Sequence, residues 1–150
     1  MNTIIAESKI FNEKKNDQNR TINMNIITHQ KIDQKLCGSP ITVEPDFSRI
    51  ELKTDESMTV DHQGLVHGGF IFGLADYAAM LAVNDPNVVL GSADTKFLKP
   101  VKVGDVVIAE ARTGLKKGKK HIVSVTVHRN EEAVFSGEFI CFVLDKHVLL

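Results

Sequence analysis

The sequence predicts one α+β domain in which an antiparallel sheet wraps around a single apolar helix. Three observations carry this. Residues 70–83 are apolar or small throughout, with Asp76 as the lone charge. One strand-like stretch precedes that segment and four follow it. The later connections are short and glycine-bearing, as antiparallel hairpins require. A helix that is apolar all round must be enclosed on every side. One sheet covers one side, so a second copy of the chain is expected on the other, making at least a homodimer.

Composition narrows the class. A chain of 150 residues suits one domain and can bury a core without metals or disulfides. Eighteen basic residues against 19 acidic ones leave a formal charge of -1. Nucleic-acid binding wants a basic excess, so no nucleic-acid partner is expected. No apolar run reaches the ~18 residues of a membrane span, and no signal peptide is visible. Two cysteines, Cys37 and Cys141, give no disulfide framework and fit a reducing cytoplasm.

Residues 1–26 hold six asparagines, scattered apolar residues and no sustained period. They read as a flexible or loosely docked N-terminal arm, with the folded domain over 27–150. Ile32 and Leu36 at i,i+4 predict a short helix over 29–36, stopped by Gly38 and Pro40. Residues 41–44 and then the alternating 48–55 carry the strand periodicity that precedes the helix. The apolar helix over 70–83 is stopped by Asn84, Asp85 and Pro86. Strands then follow at 88–98, 106–113, 121–129 and 132–144. Val123, Val125 and Val127 share one face, with Ser124, Thr126 and His128 on the other.

The chemistry concentrates at the helix. A carboxylate in an apolar helix is costly to ionise, so Asp76 either faces a wet crevice or serves as a base or nucleophile with a raised pKa. Gly68 and Gly69 open the helix, where free N–H groups and the positive dipole end suit a polarised carbonyl. An ordinary glycine turn reads the same way in sequence. Gly69 and Asp76 lie nearly two turns apart on one face, roughly 10 Å along the axis. Two antiparallel helices side by side would set each Asp76 near the partner's Gly69, which predicts a site shared between subunits.

Around this centre, His67 either contacts a ligand carbonyl or closes the turn. Asp61 either positions water or is a solvated loop acid. Asp61, His62 and His67 match no established metal spacing, so no metal is expected. Lys116, Lys117, Lys119 and Lys120 surround Gly118. They read as a solvated hairpin that blunts a sheet edge, or as contacts to ligand phosphates.

The stretch D-x-x-G-x-x-H-G-G-x-x-x-x-L-A-D, Asp61 to Asp76, resembles the hot-dog-fold acyl-CoA thioesterases, especially the phenylacetyl-CoA thioesterase-like branch. The resemblance covers residues 45–145. It implies a hot-dog dimer that binds acyl-CoA, with coenzyme A entering as part of the ligand and no separate cofactor. Carried over, it makes the Gly68 and Gly69 backbone the carbonyl polariser and Asp76 the base or nucleophile across the dimer interface. Many members have an asparagine where this chain has Asp61, whose carboxylate only accepts hydrogen bonds. LGSADTKFLKPVKVGDVVIAEA and VFSGEF are similar instead to the effector domain of malonyl-CoA-responsive repressors, which senses an acyl-CoA without hydrolysing it. The expected function is thioester hydrolysis. A non-catalytic acyl-CoA-binding protein is the main alternative, and a hydratase using His67 and Asp76 is a third.

Overall fold

A computed structural model of the chain describes residues 20–150; residues 1–19, most of the segment read as an arm, lie outside them. The elements are β1 (Thr21–Ile22), α1 (Gln34–Cys37), β2 (Ser39–Glu44), β3 (Phe47–Lys53), α2 (Gly68–Val83), β4 (Val88–Phe97), β5 (Val106–Lys117), β6 (Lys120–Arg129) and β7 (Glu132–Val143). The strands form one sheet in the order β1-β2-β3-β5-β6-β7-β4. Every neighbouring pair is antiparallel except β1 with β2. This is the α+β, sheet-around-helix architecture that the patterning predicts and the hot-dog arrangement that the motif implies. Among the described residues, no helix is long and apolar enough to cross a membrane.

Strand alternation sets which face receives α2. Ile50 and Leu52 of β3, Val107, Ala109 and Ala111 of β5, and Val123, Val125 and Val127 of β6 are all buried. The alanines let α2 approach closely, and Ala75, Ala78 and Ala79 answer them from the helix. Burial of each Val or Leu side chain contributes about 1.5–3 kcal/mol. The buried Ser48 hydroxyl on β3 donates to the Ala78 carbonyl at 2.6 Å, tying the helix to the sheet.

Two local expectations change. The helix expected over 29–36 is only Gln34–Cys37. Asp33 caps it, accepting from the Lys35 and Leu36 amides at 2.9 and 3.3 Å. A capping acid in the middle of an apolar pattern starts a helix rather than continuing one. The four later strands also do not pair in simple succession. β4 lies at the far edge beside β7, and β5 returns to pair with β3. The connection between them is pinned under the start of α2, where the Val66 amide bonds to the Val101 carbonyl at 2.9 Å and Leu65 bridges Lys102. Genuine hairpins join β5 to β6 at Gly118 and β6 to β7 at Asn130, both with positive φ. In the segment read as an arm, Thr21 and Ile22 pair with Thr42 and Val43. Met24 and Ile26 pack against the core.

Candidate functional site

The chain enters α2 through a tethered loop, with the His67 amide bonded to the Met58 carbonyl at 2.9 Å. His67 occupies the cap position, but no side chain caps the helix. The Phe70 amide turns back to the His67 carbonyl at 3.1 Å. The Gly68 and Gly69 amides precede the intrahelical ladder and lie at the positive end of the helix dipole. Both glycines sit beneath aromatic rings. A Cβ on Gly68 would sit 3.0 Å from a ring carbon of Phe97, and one on Gly69 would sit 2.8 Å from His67 Nε2. The exposed His67 ring therefore folds over Gly69, meeting Phe70 edge-on at 6.1 Å between centroids.

Beside Gly68 opens an apolar cleft of about 290 Å³, lined among others by Leu65, Ile71, Phe97, Pro100 and Val101. Phe97 belongs to the end of β4 and is well exposed. Neither Phe97 nor the Lys99–Val101 loop stood out in the sequence. The usable signal was the run KFLKPVKVGD, in which a lysine-rich turn follows a strand directly.

Asp76 lies midway along α2, seven residues after Gly69 and three after Gly73, and is partly buried. A Cβ added to Gly73 would meet nothing within 4 Å. Asp76 Oδ1 is buried and has no hydrogen-bond partner. Burial pushes its carboxyl from 3.8 to about 6. The acid acts electrostatically on both cysteines. The Cys141 thiol is pushed up to about 12, first by burial and then by Asp76. The Cys37 thiol is raised by burial and by the charges of Asp33 and Asp76. Both thiols stay protonated, so neither is a rival nucleophile.

The remaining candidates divide. Asp61 Oδ1 accepts from the Gln63 and Leu65 amides at 2.9 and 3.2 Å, which folds the loop ahead of the helix. Asp61 also lines a second cavity that abuts the first. The lysine hairpin is remote. Lys120 is in register with Phe142, which faces Val89 at the start of β4, whereas Gly68 meets Phe97 at its end. Ten residues of strand, about 30 Å, separate the two in one protomer. Lys116 pairs with Asp46 at 2.8 Å and Lys119 with Asp145 at 2.6 Å; Lys117 and Lys120 flank the turn. Within one chain, then, the structure gathers His67, Gly68 and Gly69, sets Asp61 in the adjoining loop, and leaves Asp76 and the hairpin elsewhere.

Residues 63–136 match the model of the thioesterase superfamily. The uncharacterized protein PH1136 of Pyrococcus horikoshii is 54% identical, over 85% of this chain and 98% of its own, with a TM-score of 0.84. Methylthioribose-1-phosphate isomerase of Aquifex aeolicus is 55% identical over 123 residues, which are 81% of this chain but 27% of the relative. Transcription factor FapR of a Thermoanaerobacter species is 30% identical over 131 residues, 87% of this chain and 61% of the relative. The chain thus spans less than two thirds of the length of these two relatives. At 22% identity and a TM-score of 0.69, the Streptococcus mutans protein smu.793, solved bound to acetyl CoA, shares the fold over 79% of this chain and 97% of its own. The chain belongs to the thioesterase superfamily of hot-dog proteins.

Proposed function

We propose that the protein hydrolyses acyl-CoA thioesters at a site built from two copies of the chain. The Gly68 and Gly69 amides of one copy hold the thioester carbonyl oxygen, and Asp76 of the other supplies the base or nucleophile. The observation that carries this reading is the buried Asp76 oxygen, which has no hydrogen-bond partner among the described residues. A polar atom left without a partner is costly, and a water or thioester admitted beside it would offset that cost. Phe72 and Gly73 lie midway between Gly69 and Asp76 in sequence. Antiparallel helices crossing there would set each Asp76 opposite the partner's Gly69. Gly73, with open space where a Cβ would be, would let the two backbones approach. β4, the terminal strand of the sheet, offers an unpaired edge to the same second copy.

The chemistry follows from the geometry. With its carboxyl near 6, Asp76 is mostly ionised at neutral pH yet more basic than a free aspartate. It takes a proton from water as the water oxygen bonds to the carbonyl carbon, and passes that proton to the sulfur; or it attacks that carbon itself, forming an acyl anhydride that water then hydrolyses while solvent protonates the departing thiolate. The helix amides stabilise the oxyanion. The carbon–sulfur bond then breaks, and the sulfur leaves as coenzyme A thiol after gaining a proton. Coenzyme A is part of the substrate, and this route draws on no metal. The two cysteines are free, which suits a reducing cytoplasm.

Release of free thiol from a panel of acyl-CoAs tests the reading. Asp76→Asn is expected to lower kcat by roughly 10²–10⁴-fold while acyl-CoA binding persists. Undiminished turnover in that variant removes Asp76 from the mechanism. A second reading, an acyl-CoA-binding regulator without hydrolysis, is favoured by the likeness to FapR. Wild-type protein that binds the panel and releases no thiol establishes it.

A further inference from the structure

We infer that the phosphates of the acyl-CoA ligand are held by Lys99 and Lys102, on the loop after β4, rather than by the lysine hairpin. The inference rests on the acyl-CoA reading and names the anchor within that site. The apolar cleft beside Gly68 abuts a second cavity of about 420 Å³, and the two share Leu65, Pro100 and Val101. The first includes Lys99 in its lining and the second includes Lys102. A ligand leaving the Gly68 end along this path meets an apolar stretch and then one that adds Asp61, Gln63, Lys102 and Arg129. That sequence matches a chain that is apolar at one end and anionic at the other.

The charges along the path are unevenly committed. Arg129 also lines the second cavity, but its Nη1 donates to the Pro100 carbonyl at 2.8 Å and to Asp105 Oδ2 at 2.9 Å. Its Nη2 donates to Glu132 at 2.6 Å. Arg129 therefore shapes the loop and has little left for a ligand. Asp61 is the acid in this lining, with Oδ1 turned to two backbone amides. Among the described residues, neither the Lys99 nor the Lys102 ammonium forms an ion pair. Both side chains are exposed on a loop whose backbone is fixed. The Lys99 amide bonds to the Val134 carbonyl at 3.2 Å, and the Lys102 amide bonds to Asp105 Oδ2 at 2.9 Å. Free cations on a fixed loop are well suited to capture a phosphate. The hairpin has two of its four lysines paired already and, within the same protomer, lies at the other end of β4 from Gly68.

The test compares an acyl-CoA with the matching acyl-pantetheine, which carries the same thioester but no phosphate. In Lys99→Glu/Lys102→Glu, the KM for acyl-CoA is expected to rise tenfold or more, on the order of one charge-assisted hydrogen bond per lysine. The KM for acyl-pantetheine is expected to stay put. Lys99→Gln/Lys102→Gln gives a milder version should charge reversal disturb folding. An equal rise for both substrates, or none for acyl-CoA, overturns the inference. So does a CoA-selective rise in Lys117→Glu/Lys120→Glu with none in the loop variants. Absence of thiol release from wild type counts against hydrolysis instead. In that case calorimetric titration with coenzyme A and with pantetheine reads the same contrast. Wild type that binds neither overturns both readings.

Discussion

In the proposed reaction, Asp76 is where function and stability oppose each other. Burial raises its carboxyl from 3.8 to about 6, so the folded chain favours the protonated acid. Below 3.8 both folded and unfolded chains hold the proton and the group costs nothing. As pH rises from 3.8 towards 6, the unfolded chain ionises first and stability falls. Above 6 the penalty is complete, at roughly 2–3 kcal/mol for the shift given. Asp76→Asn is therefore expected to raise the unfolding free energy at pH 8 by up to that amount and to change it little at pH 4. Urea unfolding at the two pH values measures this. A variant equally destabilised at both would show that ionisation carries no strain. In the wild type, kcat/KM is expected to climb with pH through a limb near 6 as the base loses its proton. Asp76 was legible in sequence as the lone charge in an apolar helix. Its missing hydrogen-bond partner was not, because that depends on what α1, β7 and the helix leave around it.

Helix α2 was legible as an element for a simple reason. Thirteen apolar or small residues among the fourteen from Phe70 to Val83, alanines included, run long for a strand, and a left-handed Asn84 ends the run. The strands were legible too, because period-2 burial writes itself directly into β3, β5 and β6. Pairing order was harder. A glycine-bearing turn looks the same whether it closes a hairpin or precedes a crossing, and the tie between Val66 and Val101 that decides the case lies outside the strands. Gly73 is the element-scale position whose meaning only coordinates supply. Among the described residues, nothing beyond its chain neighbours and the adjacent helix backbone lies within 4 Å of a Cβ there. Gly73→Leu is thus expected to leave folding of the single chain intact while blocking close approach of a second helix. Light scattering should report a smaller assembly, and thiol release should fall with it. A Gly73→Leu protein that keeps the wild-type mass and activity would place the contact between copies elsewhere.

At the scale of the whole molecule, helix length sets the two halves of the proposed chemistry apart. α2 lies along one face of a single sheet, so its amide end and its acid cannot meet on one substrate atom within a chain; about 10 Å of helix axis separates them. Sequence spacing alone made that separation visible, since it follows from helical rise. The direction of the partner helix was an argument from need. Mixing two damaged chains tests it. Asp76→Asn keeps the glycine amides and loses the acid. Gly69→Val keeps the acid and disturbs the carbonyl site, because its Cβ would lie 2.8 Å from His67 Nε2. Each variant alone is expected to be inactive. In a heterodimer formed by co-expression, one of the two shared sites receives an intact glycine pair from one chain and an intact acid from the other. With random pairing, about a quarter of the wild-type sites are restored, and thiol release should recover to that level. If both functional groups instead acted within one chain, every site in the mixture would contain one defect and activity would stay at the level of the separate variants.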